Sequence, residues 1–132
     1  MRKIFARILI LSLLMLGACR KDPKLTDSTY IFRASQNLTI TLNFDDNGQY
    51  FGRAFNRYFG TYQTAGDHMM LGPVSSTMMS GSEDKMATEE DYLNRLSQTH
   101  SYRLTPDNLI LISDDGHQMI FDIRKTQEEN IP

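Results

Sequence analysis

The 132-residue chain contains one cysteine and no tryptophan. A single thiol rules out an intrachain disulfide, so the fold must be held by packing and hydrogen bonding. Long apolar runs are missing too: the longest apolar stretch, residues 8–16 with Ser12 at its middle, falls well short of the ~20 residues a membrane-spanning helix needs. Positive charge is scarce. Once residues 1–18 are set aside, 11 Lys and Arg face 16 Asp and Glu, a net of −5. That balance argues against a nucleic-acid binder, which shows a basic face, and against a polybasic membrane clamp. No G-x-S-x-G elbow frames any serine, and no glycine-rich phosphate loop is present. What remains beyond residue 18 is six Tyr and six Phe to build a core. The 114 residues left after the first 18 are one domain's worth, enough to fold without metal.

Arg2, Lys3 and Arg7 carry positive charge ahead of the apolar stretch, and Gly17 and Ala18 follow it. A charged start, a short apolar centre and small residues at a cut site mark a secretory signal. Leu16-Gly17-Ala18-Cys19 resembles the lipobox of bacterial lipoproteins, in which the cysteine thiol receives a diacylglyceryl group. The lone cysteine of the chain stands where that motif requires it. The resemblance implies a signal peptide over residues 1–18, lipid attachment at Cys19 and a membrane partner through the acyl chains. Each buried CH₂ of such chains is worth ~0.8 kcal/mol. Arg20, not Asp, follows the cysteine. By the sorting rule of many enteric-type bacteria this points to the outer membrane, facing the periplasm. Residues 19–29 read as a lipidated tether, 30–125 as the domain and 126–132 as a polar tail.

Within the domain, Leu38, Ile40, Leu42 and Phe44 alternate with polar residues, the period of a half-buried strand. Asp45-Asp46-Asn47-Gly48 supplies a turn, since Asn47 and Gly48 both tolerate positive φ. Its partner strand is expected at 49–55. A second hairpin joins 58–62 to 69–71 through 65–67, and a further strand is expected at 74–79. Thr88 with Asp91, the acidic run Glu89-Glu90-Asp91 and the stripe Tyr92, Leu93, Leu96 predict a helix over 88–98. Strands at 101–104, 109–113 and 118–123 follow, joined by turns at 106–108 and 114–116. Short strands joined by tight turns pair antiparallel. The expected class is mainly β (α+β), a curled antiparallel sheet or small barrel with one inserted α-helix.

Asn56-Arg57-Tyr58-Phe59-Gly60-Thr61-Tyr62 resembles the N-R-x-x-G-x-Y segment of the META/HslJ-like domain family. Residues 71–79, with Leu71-Gly72-Pro73 and Thr77-Met78-Met79, resemble its next block. Met86, Glu89, Leu93 and Leu96 are similar to its helix, and Leu109 to Leu111 with Gly116 to Phe121 to its closing hairpin. The resemblance covers residues 38–123. It implies a barrel-like β fold with one helix, in a family often found in envelope proteins linked to stress or drug tolerance. The family commonly has cysteines where this chain has Phe55 and Gly81, so that pair cannot form here. The family's Trp-containing opening strand is also missing, and Tyr30-Ile31-Phe32 stands in its place.

Chemistry-bearing residues are sparse. His68, His100 and His117 fall at turns or element ends and read as solvent-facing. Asp45-Asp46, Glu89-Glu90-Asp91 and Asp114-Asp115 are accounted for by turn and helix-start chemistry. Six methionines (Met69, Met70, Met78, Met79, Met86, Met119) could, with His68, form a Cu(I) thioether site. The favoured reading is that flexible Met side chains fill an irregular core or line an adaptable apolar groove. Neighbours on a strand face opposite ways, so at most one of each Met-Met pair could reach a shared site. Asn56, Arg57, Tyr58, Gly60 and Tyr62 are the candidate patch for a partner or ligand, or else a bend and its packing. The expectation is a non-catalytic envelope lipoprotein without a cofactor, used in binding or stress tolerance, with an envelope protein or an apolar ligand as partner. The alternatives are a lipid carrier using the interior of the sheet and a Cu(I)-binding module.

Overall fold

The computed structural model describes residues 24–124. The expected signal, Cys19 with residues 20–23 of the tether, and the whole polar tail lie outside the described residues. A 3₁₀ turn at Leu25–Asp27 leads into strands β1 (Thr29–Ser35), β2 (Leu38–Phe44), β3 (Gln49–Arg53), β4 (Arg57–Ala65), β5 (His68–Leu71) and β6 (Ser75–Ser76). Helix α1 (Glu83–Ser97) follows, and then β7 (Thr99–Leu104), β8 (Asn108–Ser113) and β9 (Gln118–Arg124). Every pairing is antiparallel, and successive strands from β1 to β5 and from β7 to β9 are neighbours. Two further pairings close the circle: β1 with β9, and β5 with β7 across the helix insertion. The result is an eight-stranded barrel, with β6 prolonging the β5 edge along β4. Closure removes the free edges that an open curled sheet would expose.

Alternation drives this arrangement. Along β2 the residues Leu38, Ile40, Leu42 and Phe44 are buried while Thr39 faces out. Residues Tyr50 on β3, Tyr58 on β4, Leu109 and Leu111 on β8, and Phe121 on β9 follow the same period inward. Tyr92 and Leu96 of α1 join that core from the helix, with Tyr92 packed against Phe32, Tyr58 and Phe121.

Several expectations change in detail. The helix is expected from residue 88 but begins at Glu83, with the Ser82 hydroxyl accepting from the Lys85 amide as N-cap. The acidic first turn is Glu83 and Asp84, not Glu89-Glu90-Asp91. Ser82 caps more effectively because it is followed by those carboxylates at the positive end of the helix dipole. The strand expected over 74–79 is only two residues long. In the β2–β3 turn Gly48 alone has positive φ, at 76°, and Asn47 does not. The Asp45 carboxylate accepts from the amides of Asn47 and Gln49, so the turn is held by a side chain and needs only one left-handed residue.

Candidate functional site

The family-motif segment sits where β3 turns into β4 beside the helix. Asn56 and Glu89 are 4 % and 7 % exposed, and they meet face to face. The Asn56 backbone amide donates to Glu89 Oε2 at 2.6 Å, and its side-chain amide donates to Glu89 Oε1 at 2.9 Å. On its other side Asn56 Oδ1 accepts from the Met79 amide at 2.8 Å and the Thr77 hydroxyl at 3.2 Å. One side chain therefore ties three segments: the β3–β4 turn, the chain after β6 and the helix. Bonds from N–H donors to a buried carboxylate are the strong kind.

Tyr58 points into the barrel, where its hydroxyl lies 2.6 Å from the Thr41 carbonyl and 2.8 Å from the Tyr92 hydroxyl. Burial pushes both phenols well above their ordinary pKa, and the neighbouring ring of Tyr92 pushes Tyr58 further. Gly60 lies under the ring of Tyr50, and a Cβ there would come within 2.5 Å of the Tyr50 hydroxyl oxygen. That hydroxyl donates to the Gly72 carbonyl. Tyr62 is half-buried and donates to the Asp45 carbonyl at 2.7 Å. Of the five motif residues, Arg57 alone is exposed. Asn56, Tyr58, Gly60 and Tyr62 are built into the framework.

The outer face beside them carries the unusual surface. Phe51 on β3 and Phe59 on β4 are directly paired across the strands and are 46 % and 56 % exposed. Arg53 and Arg57 are the next outward pair, also directly opposed. Among the described residues neither arginine has a carboxylate within salt-bridge distance.

A cleft of about 230 Å³ opens at the far end of the helix, between Asp91, Arg95, Ser113, Asp115 and His117. Ser113 Oγ donates to Asp115 Oδ1 at 2.6 Å, and Asp115 Oδ2 lies 2.7 Å from His117 Nδ1. These are the residue types of a nucleophilic triad in the wrong order. The carboxylate, not the imidazole, faces the hydroxyl, so the serine proton is offered to a weak base. The Ser113 hydroxyl, then the His117 backbone amide and imidazole, hold the Asp115 carboxyl well below the ordinary carboxylate range. The contacts are those of a hairpin turn closed by Gly116. His68, His100 and His117 are all exposed, as expected.

The methionines do not converge. Met69 is 2 % exposed inside the barrel, while its neighbour Met70 is 69 % exposed outside it. Met119 is buried, and Met78, Met79 and Met86 are exposed around the start of the helix. Among the described residues no group of three or more His, Cys, Asp or Glu could hold a metal ion.

A family model described as the META domain matches residues 26–126. The chain belongs to the META domain family. Its barrel is similar to the NMR structure of a protein from Burkholderia xenovorans, with 24% identity and a TM-score of 0.62 over 81% of this chain and 93% of that one. A second NMR structure matches with 11% identity and a TM-score of 0.62, over 78% of this chain and 94% of the other. The crystal structure of a DUF4847 family protein from Bacteroides vulgatus is similar at 20% identity and a TM-score of 0.51, covering 65% of this chain and 60% of that one. No protein among the curated ones matches. These likenesses establish the META barrel and say nothing of a ligand.

Glu89 is the residue that the reading of charges misplaces. It was expected to serve the helix dipole, and it serves Asn56 instead. The signal was present: Glu89, Tyr92 and Leu96 are spaced by three and four residues, so the carboxylate shares the inward face of the apolar stripe.

Proposed function

We propose that this META domain is displayed by a lipid-anchored envelope protein and acts by binding through its outer surface, with no catalytic step. Cys19 carries the acyl chains, and the barrel faces the periplasm from the outer membrane, in a role of envelope maintenance under stress. The observation that carries the surface reading is the filled interior. Tyr30, Tyr50, Tyr58, Tyr92 and Phe121 are each no more than 1 % exposed and stand in ring-to-ring contact with their neighbours. No buried side-chain polar atom among the described residues lacks a hydrogen-bond partner. Space and polar groups that an enclosed apolar ligand would use are already taken up by the protein itself. The interior is thus a poor carrier pocket, and the scattered methionines support no copper site.

Fractionation of cells expressing the full chain and its Cys19→Ser variant tests the anchor. The parent is expected in the membrane fraction and the variant in the soluble periplasm. Membrane retention of both would end the lipoprotein reading. Native mass spectrometry of the released variant tests the interior: a bare protein mass is expected, and a stoichiometric lipid adduct would return the carrier reading.

A further inference from the structure

We propose that the outer face of β1–β4 docks on the anionic lipid surface to which the chain is anchored, with Phe51 and Phe59 entering the interface and Arg53 and Arg57 meeting lipid phosphates. The proposal rests on the lipid-anchor reading above. Three observations carry it.

The first is charge. The domain beyond residue 18 is net −5, yet β1 to β4 contain no Asp or Glu. Their only ionisable charges are Arg33, Arg53 and Arg57, all exposed. β5 to β8 lack Asp and Glu as well, with Arg103 their only Lys or Arg, but β1–β4 gather three exposed arginines, and the acids between these strands, Asp45 and Asp46, are confined to the β2–β3 turn. The second is the arrangement of the four side chains. Like charges directly opposite on neighbouring strands weaken a sheet, and Arg53 opposes Arg57 with no carboxylate between them. Two large aromatics exposed side by side mark a contact surface more than a scattered apolar residue does. Arginine beside apolar rings suits the boundary between headgroups and acyl chains.

The third is where the tether arrives. Thr29 Oγ1 donates to Asn43 Oδ1 at 2.7 Å, Asn43 is the partner of Phe51, and Phe51 is the partner of Phe59. With strands ~4.8 Å apart, Phe59 lies only roughly 14 Å from the row on which the chain enters the barrel. Lys24, the first described residue, is five residues after Cys19. Those five span at most roughly 18 Å when fully extended. So short a leash holds the barrel against the bilayer, and it enters from the β1 side of the face that bears the phenylalanines.

The test is hydroxyl-radical footprinting of the full lipidated protein on vesicles of phosphatidylglycerol mixed with phosphatidylethanolamine, on phosphatidylcholine vesicles, and in detergent. Ile120 on β9, exposed and four strands round the barrel from β4, is the internal control. Severalfold slower oxidation of Phe51 and Phe59 on the anionic vesicles, with Ile120 unchanged, is the expected result. The double variant Arg53→Gln/Arg57→Gln should abolish that protection while the protein still floats with the vesicles. Flotation without protection of the phenylalanines overturns the docking proposal and leaves the anchor standing. Equal protection in detergent at high protein concentration assigns the face to a second copy of the chain, which also overturns it. Protein that neither floats nor is protected on anionic vesicles, with Cys19→Ser behaving identically, overturns both readings.

Discussion

Replacing the buried Glu89 by Ala should destabilise this barrel far more than the change of any exposed or half-exposed charge. Two donors would lose their acceptor: the Asn56 backbone N–H, now at 2.6 Å, and its side-chain amide, now at 2.9 Å. A buried donor left unsatisfied costs about 1–3 kcal/mol, more when its partner was charged. The pair therefore amounts to about 3–5 kcal/mol, a large fraction of the ~5–15 kcal/mol that holds a domain together. Helix propensity works the other way, since Ala is the better helix former by a few tenths of a kcal/mol. For a domain of ~100 residues each kcal/mol moves Tm by roughly 4–8 °C, so a fall of at least ~12 °C is expected. Glu89→Gln keeps the shape but must aim an amide N–H at one of the two donors, and it should fall between parent and Ala variant. Glu90→Ala, one residue on and exposed, is the control and should stay within ~0.5 kcal/mol. Urea unfolding followed by far-UV circular dichroism measures all three. If Glu89→Ala and Glu90→Ala unfold within ~1 kcal/mol of each other, the bonds to Asn56 carry little of the fold.

Alkaline titration should destabilise the protein in a defined window. Tyr58 and Tyr92 stay protonated in the fold because their pKa values are raised, while in the unfolded chain they ionise near 10. Above that pH the unfolded state binds fewer protons, so stability falls by about 1.4 kcal/mol per pH unit for each buried phenol. Urea midpoints at pH 8 to 11 that fail to drop would contradict the burial of both hydroxyls. The adjacent methionines give a sharper contrast. Met69→Ala should cost about 2–5 kcal/mol by leaving a core cavity, and Met70→Ala within ~0.5 kcal/mol of nothing. Similar losses in the two would mean that the register of β5 is shifted by one residue.

The strands were the legible part of this fold because burial on one side writes a period of two into the sequence, as in Leu38, Ile40, Leu42 and Phe44. Closure was legible only as one of two forms, an open curled sheet or a small barrel. It depends on β5 meeting β7 at a single bridge, His68 with Ser101, on either side of an inserted helix. No local pattern encodes such a long-range contact. The start of the helix was hidden for a related reason. Its first turns, from Glu83 to Thr88, are exposed or only half-buried, so they lack the apolar stripe from which a helix is recognised. The exposed phenylalanines were ambiguous on β3, where Tyr50 and Phe51 are adjacent aromatics and either could face the core. Only the register with Gly60 under the Tyr50 ring decides between them.

Phe55 and Gly81, which stand where the family commonly has its two cysteines, turn out to touch. A Cβ placed on Gly81 would lie 2.5 Å from the tip of the Phe55 ring and within 3 Å of both adjacent ring carbons. The ring lies over the bare glycine backbone and packs against the core. The two positions are therefore held together here by an aromatic side chain fitted to a missing one, a contact that needs no thiol. Each half depends on the other. Gly81→Cys alone must displace the ring, and Phe55→Cys alone leaves a void, so each single change should cost about 1–3 kcal/mol. Together they remove the clash and fill the gap with a bond. Closing a loop of this length adds about 3.5 kcal/mol in the chain-entropy account. The oxidised double variant should thus unfold at higher urea than either single variant and lose that gain on reduction. Free thiols in the oxidised double variant would show that the two positions are not within bonding reach, and the reading of the Phe55 ring as what joins them would fall with them.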